Sequence, residues 1–133
     1  MWEIEYKYVE SWLDEQDDAT VACIFAALEL LQESGPTLGR PLVDSLADTT
    51  MSNLKELRPA SPGNSEIRII FAFDPNRKAV LLLGGDKSKG RSNKEKWSGW
   101  YRKAIPEAKR IYNDYLAEAK RAGGSMDAEE RNE

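Results

Sequence analysis

The chain contains no histidine and a single cysteine among its 133 residues. The first absence removes the side chain most used for proton transfer near neutrality. It excludes a Ser-His-Asp triad and any His-ligated metal site. The second excludes a disulfide framework. Cys23 falls among apolar residues of an expected helix and reads as a buried structural thiol with nothing to activate it. Long apolar runs are also missing, so no stretch is long enough to cross a bilayer. The opening MWEIEYKYVE is acidic and lacks the basic-then-apolar pattern of a secretory signal, so a reducing, cytoplasmic setting is expected. No GxxxxGK phosphate loop occurs, because Gly84-Gly85-Asp86-Lys87-Ser88 is too short for one. Among Glu56, Glu66, Asp74 and Asp86, nothing singles out a glycosidase-type pair of carboxylates.

What is present is an apolar fraction of 41%, enough for the core of one domain. The charge is unevenly placed. Residues 53–110 carry 14 Lys and Arg against 6 Asp and Glu, whereas the remainder carries 5 against 17. An overall charge of −4 therefore hides a basic part and an acidic part.

Trp2 to Tyr8 alternates apolar and charged residues, the pattern of a half-buried strand. A short helix is expected over Val9–Leu13. A longer one over Ala19–Glu33 follows, capped by Asp17 or Asp18, with Val21, Ile24, Phe25, Leu28 and Leu31 at helical spacing. Gly35-Pro36 ends it, and Thr37–Ser52 reads as an irregular connection whose Leu38, Leu42, Val43 and Leu46 tuck under the sheet. Asn53–Arg58 reads as a strand or a helical turn. Ile67–Phe73 and Ala79–Leu83 are adjacent strands joined by Asp74-Pro75-Asn76-Arg77-Lys78, a set of turn formers. The second is apolar throughout, as a strand covered on both faces would be. In the first, Ile67, Ile69, Phe71 and Phe73 share one face, leaving Glu66, Arg68, Ile70 and Ala72 on the other. Gly84-Gly85 permits a bend and close backbone approach. Trp97–Lys120 forms a last helix interrupted or opened by Pro106. One domain over residues 1–121, followed by a polar, disordered tail at 122–133, is the expected division. Strands and helices are partly segregated, which predicts an α+β fold with a small, mainly antiparallel sheet.

An arginine in the middle of an apolar strand asks for a partner. Lys55 and Arg58 precede Arg68 by one strand and Lys87 leaves the next, and neighbouring strands stand about 4.8 Å apart. The four could converge on a polyanion, with Arg giving bidentate phosphate contacts and Lys a mobile charge. Trp97, Trp100 and Tyr101 follow and could stack bases. Against this, Arg58 could simply pair with Glu56 or Glu66, and tryptophans at helical spacing are commonly core. With no histidine, protons in RNA cleavage would fall to a lysine of lowered pKa, a tyrosine or a glutamate.

The segments LKELRP, IRIIFAFDP, LLLGGDKS and WYRKAIPEA, in this order behind WEIEY and WLDEQDDATVACIFAALELLQESG, resemble the RelE/ParE superfamily of type II toxins, nearest its HigB-like, phage-derived branch. The resemblance implies a compact toxin fold, with two N-terminal helices on a small curved sheet and one C-terminal helix. It also implies a ribosome-dependent mRNA endoribonuclease that inhibits translation and uses no metal or other cofactor. Partners follow from it too: mRNA, the ribosome and a cognate helix-turn-helix antitoxin, with a toxin–antitoxin heterotetramer as one assembly. Carried over by position, Arg68, Lys55, Arg58, Lys87 and Tyr101 are the catalytic candidates, with Glu56 a further proton carrier. Lys89, Arg91, Trp100 and Arg102 are the RNA-binding candidates. Histidines that several relatives use are absent here. Two other readings stay open: a gyrase-directed toxin of ParE type, and a catalytically silent RNA-binding module.

Overall fold

The computed structural model describes residues 1–46, 54–63, 65–88 and 99–132, with side chains described through Ala122. Its sheet has five strands in the order β1-β5-β4-β3-β2, where β1 is Glu3–Glu5, β2 Val43–Ser45, β3 Leu54–Leu57, β4 Ile67–Phe73 and β5 Lys78–Asp86. All pairings are antiparallel except β1 with β5. Helices α1 (Glu10–Asp14) and α2 (Asp18–Ser34) cover one face, and α3 (Trp100–Asn132) covers the other. This is the expected α+β arrangement.

The period-two pattern of β4 decides which core each residue joins. Ile67, Ile69 and Phe71 pack with Ile24, Leu28 and Leu31 of α2. Ile70 and Ala72 pack with Ala104, Ala108 and Tyr112 of α3. In β5, Ala79 and Leu81 serve the first cluster, Val80 and Leu82 the second, and all four are fully buried. Burying an aliphatic side chain of this size contributes about 1.5–3 kcal/mol. The two central strands therefore carry much of the stability.

Several expectations are corrected. The first strand stops at Glu5 instead of reaching Tyr8, because Val9 N–H bonds back to the Tyr6 carbonyl and turns the chain into α1. The connection after α2 contains a strand, β2, whose three residues are too few to show alternation. The Gly84-Gly85 pair lies inside β5 without bending it out of the sheet, and of the two roles open to it, close approach is the one realised, against Trp12 and Trp100. Finally, Phe25, placed by spacing on the inner face of α2, is 46% exposed. Ile24, Ala27, Leu28 and Leu31 already fill that face, and residue 25 falls beside it. Cys23 is partly exposed and free.

The asparagine–proline turn is tied as its composition suggests. Asp74 accepts from the backbone N–H groups of Asn76 and Lys78, at 2.9 and 2.8 Å. Asp17 caps α2 through Thr20 N–H at 2.8 Å. Pro106 lies inside α3 and does not open it. The backbone of α3 also runs over most of 122–133, the segment read from composition as a tail. Trp97 lies outside the described residues. Among the described residues, no helix is long and apolar enough to cross a membrane.

Candidate active site on the helix α3 face

The site forms where β3, the end of β5 and the start of α3 meet. Strand alternation places Leu54 and Glu56 of β3 against Ala72 and Ile70, on the α3 face. Arg58 follows one residue beyond β3, held by its backbone N–H to the Leu42 carbonyl at 2.7 Å. On β4, Arg68 stands opposite Gly85. Lys87 N–H bonds to the Glu66 carbonyl at 3.0 Å, which extends the β4–β5 ladder and sets Lys87 on the Arg68 side. Asp86 pins this corner by accepting from Glu66 and Ser88 N–H, each at 2.9 Å.

At the centre is Glu56, only 2% exposed. One of its carboxylate oxygens accepts from Arg58 Nε at 2.7 Å and the other from the Tyr101 hydroxyl at 2.5 Å. Arg58 also reaches Asp44 at 3.5 Å, and Asp44 pairs with the exposed Arg40 at 2.9 Å. The Lys87 ammonium lies 5.7 Å from the centre of the Tyr101 ring. Glu56, Arg58, Lys87, Tyr101 and Arg102 line one cleft of about 540 Å³, with Leu46 and Ile105 as its apolar lining.

Burial shapes the electrostatics. Burial, reinforced by the neighbouring Arg68, holds the Lys87 ammonium below the ordinary lysine range, although Glu56 and Glu66 oppose the shift. Burial and the hydrogen bond to Glu56 push the Tyr101 hydroxyl well above its usual value, so it stays a donor. Arg68 donates from one terminal nitrogen to the Ile67 carbonyl at 2.8 Å. Its Nε is buried with no hydrogen-bond partner among the described residues. An orphaned donor of this kind costs about 1–3 kcal/mol and needs a reason.

Arg58, Arg68, Lys87 and Tyr101, expected as a set, are thus brought together. Lys55 is not. It pairs with Phe71 on the opposite face of the sheet, with its ammonium 3.4 Å from Ser45 Oγ. Successive residues of a strand face opposite ways, so Lys55 and Glu56 cannot share a side. Trp100 is part of the α3 core, its indole laid on Gly85 so closely that a Cβ there would meet Nε1 at 2.3 Å. Arg102 is exposed on the cleft wall. Lys89 and Arg91 lie outside the described residues. Sequence reasoning missed Asp44, which belongs to the unrecognised β2. It also gave Glu56 only a minor part, although alternation alone sets Glu56 and Arg58 on one face.

Three similarities bear on this arrangement. Residues 11–113 match the family described as "Phage derived protein Gp49-like". A protein of Mycobacterium tuberculosis (strain ATCC 25618 / H37Rv) named "Putative toxin HigB2" is 43% identical over 117 residues, covering 88% of this chain and 55% of its own length. The chain therefore spans about half of that relative. A second protein of the same organism, "Putative toxin HigB3", is 46% identical over 109 residues, covering 82% of this chain and 88% of its own length. With the family match running from α1 well into α3, the chain belongs to the phage-derived Gp49-like family, in its HigB-like branch.

Proposed function

We propose that this protein is the toxin of a toxin–antitoxin pair and that it cleaves mRNA on the ribosome as a metal-independent endoribonuclease. The observation that carries the reading is the meeting of the buried Glu56 carboxylate, Arg58 and a lysine of lowered pKa at one cleft, with Arg68 close enough on the same face of the sheet to act on that lysine. Cleavage by the RNA's own 2′-hydroxyl needs those parts. Glu56 takes the proton as the 2′-oxygen bonds to phosphorus. Arg68 and Arg58 hold the charge of the pentacoordinate phosphorane, for which the unpaired Arg68 Nε is a donor in waiting. Lys87 gives its proton to the 5′-oxygen as the P–O5′ bond breaks, and its lowered pKa makes it a better acid than an ordinary lysine. The Tyr101 hydroxyl orients Glu56. The cleft's apolar lining offers a base-sized wall, and Arg102 a flanking phosphate contact. A cognate antitoxin keeps this activity silent.

The test is induction of wild type and Arg68→Ala in the same host, with mapping of mRNA 5′ ends. Wild type is expected to arrest growth and create new 5′ ends, with both effects lost in a folded Arg68→Ala variant. Arrest with intact mRNA overturns the nuclease reading.

A further inference from the structure

On the helix-covered face opposite the cleft, α2 and the β1–α1 segment leave a groove. It consists of two depressions of about 540 and 110 Å³ that share Tyr6 and Phe25. These two aromatics are 43% and 46% exposed, an unusual state for large apolar side chains when paired on one surface. The floor is apolar, made by Ile4, Leu13, Val21 and Leu28. The rim is acidic: Glu10 and Asp14, one turn apart on α1, with Asp18 and Glu29 of α2. Among the described residues, no Lys or Arg lines either depression. Lys7, the nearest cation in sequence, points to Tyr8 and to Glu118 of α3 at 3.8 Å.

We infer that this groove is the docking site for the antitoxin, through a segment that presents apolar side chains flanked by Lys or Arg. The inference rests on the proposed toxin–antitoxin function and gives the partner a surface and a chemistry. Tyr6 and Phe25 are the anchors, since exposed aromatics over a preformed apolar floor are where binding energy concentrates. The smaller depression takes a single aliphatic side chain. The four carboxylates supply register and attraction, and they repel a segment of the same sign as themselves. Charge complementarity selects this partner over a nucleic acid, which the acidic rim would exclude. The contact thus falls on the acidic half of the chain. The cleft lies at the far edge of the same sheet. From β1 to β2 is four strand spacings, roughly 19 Å, so the docked segment does not itself fill the cleft.

The test is co-expression of the tagged full chain with the reading frame beside its gene, scored by co-purification and by titration of the purified pair. The variants are Phe25→Asp and the combined Glu10→Lys, Asp14→Lys and Glu29→Lys reversal, with Arg102→Glu as a control on the basic half. Circular dichroism checks that each variant folds. The expected result is at least about tenfold weaker binding in both groove variants, with the Arg102→Glu complex retained. Wild-type affinity should also fall with salt, and that dependence should flatten in the reversal. Binding unchanged in the folded groove variants, no complex with wild type, or self-association through the groove in sedimentation would each overturn the inference. Co-purification is read independently of toxicity. A wild type that binds its partner but arrests nothing therefore counts against the proposed function and not against the groove.

Discussion

Glu56 holds an arginine and a tyrosine from a position almost closed to water, so its carboxylate is a structural joint, to which the proposed reaction adds the part of proton acceptor. Glu56→Gln keeps the shape but loses the charge. It is expected to lower single-turnover cleavage of ribosome-bound mRNA by about 10²-fold or more and to destabilise the fold by about 1–3 kcal/mol in urea titrations. Arg68 is predicted to behave in the opposite sense. Its buried Nε lacks a partner, so Arg68→Met should raise stability by about 1 kcal/mol while abolishing cleavage. A variant that loses stability and activity together would show that Arg68 is structural. The tyrosines give a pH signature. Tyr101 on Glu56 and Tyr115 on Asp74 are both raised above the ordinary 10.0, burial being the first cause for each. Between the unfolded and folded values the native state holds more protons, so stability falls as pH rises. This contribution is fully present below about pH 10 and is lost progressively as pH rises from there through the folded values. Urea midpoints from pH 8 to 11 should drop more steeply in wild type than in Tyr115→Phe.

At the scale of elements, β4 and β5 were the most legible part of the chain. Their apolar density and Arg68's alternation with Ile67 and Ile69 gave both the strands and the faces, because period two is a local property of the backbone. What was not legible depends on distant partners. The Lys55–Glu56 assignment needed the register of β3 on β4, and β2 exists only because β3 stands beside it. Gly84-Gly85 left a bend and a close approach both open for the same reason. Trp12 lies on Gly84 from one side and Trp100 on Gly85 from the other, and neither contact can be read from the dipeptide. Gly85→Ala would put a Cβ 2.3 Å from the Trp100 indole and dislodge the start of α3. A loss of about 1–3 kcal/mol is expected, together with loss of the adjacent Tyr101–Glu56 bond and of cleavage. Thermal melts beside activity measurements check this. Tyr115 to Asp74 and Tyr112 to the Phe73 carbonyl fasten α3 further along, so its displacement should stay local.

Across the whole molecule, the division of charge seen in the sequence became a division of surfaces. The acidic residues rim the α1–α2 groove, whereas Arg40, Arg58, Lys87 and Arg102 gather at the cleft. Under the proposed function, RNA binding by a protein of net charge −4 is a local effect of that cationic edge. Binding of a short single-stranded RNA should weaken linearly in log salt, and Arg102→Ala should reduce the slope by about one. Unchanged slope would remove Arg102 from the contact. The tryptophan on Gly85 carries one more consequence. Gly85 stands directly opposite Arg68, and the Trp100 ring is 5.0 Å from that of Tyr101. An indole so placed is a built-in optical probe: with the other three tryptophans replaced by phenylalanine, the emission of Trp100 would follow occupation of the cleft without any label.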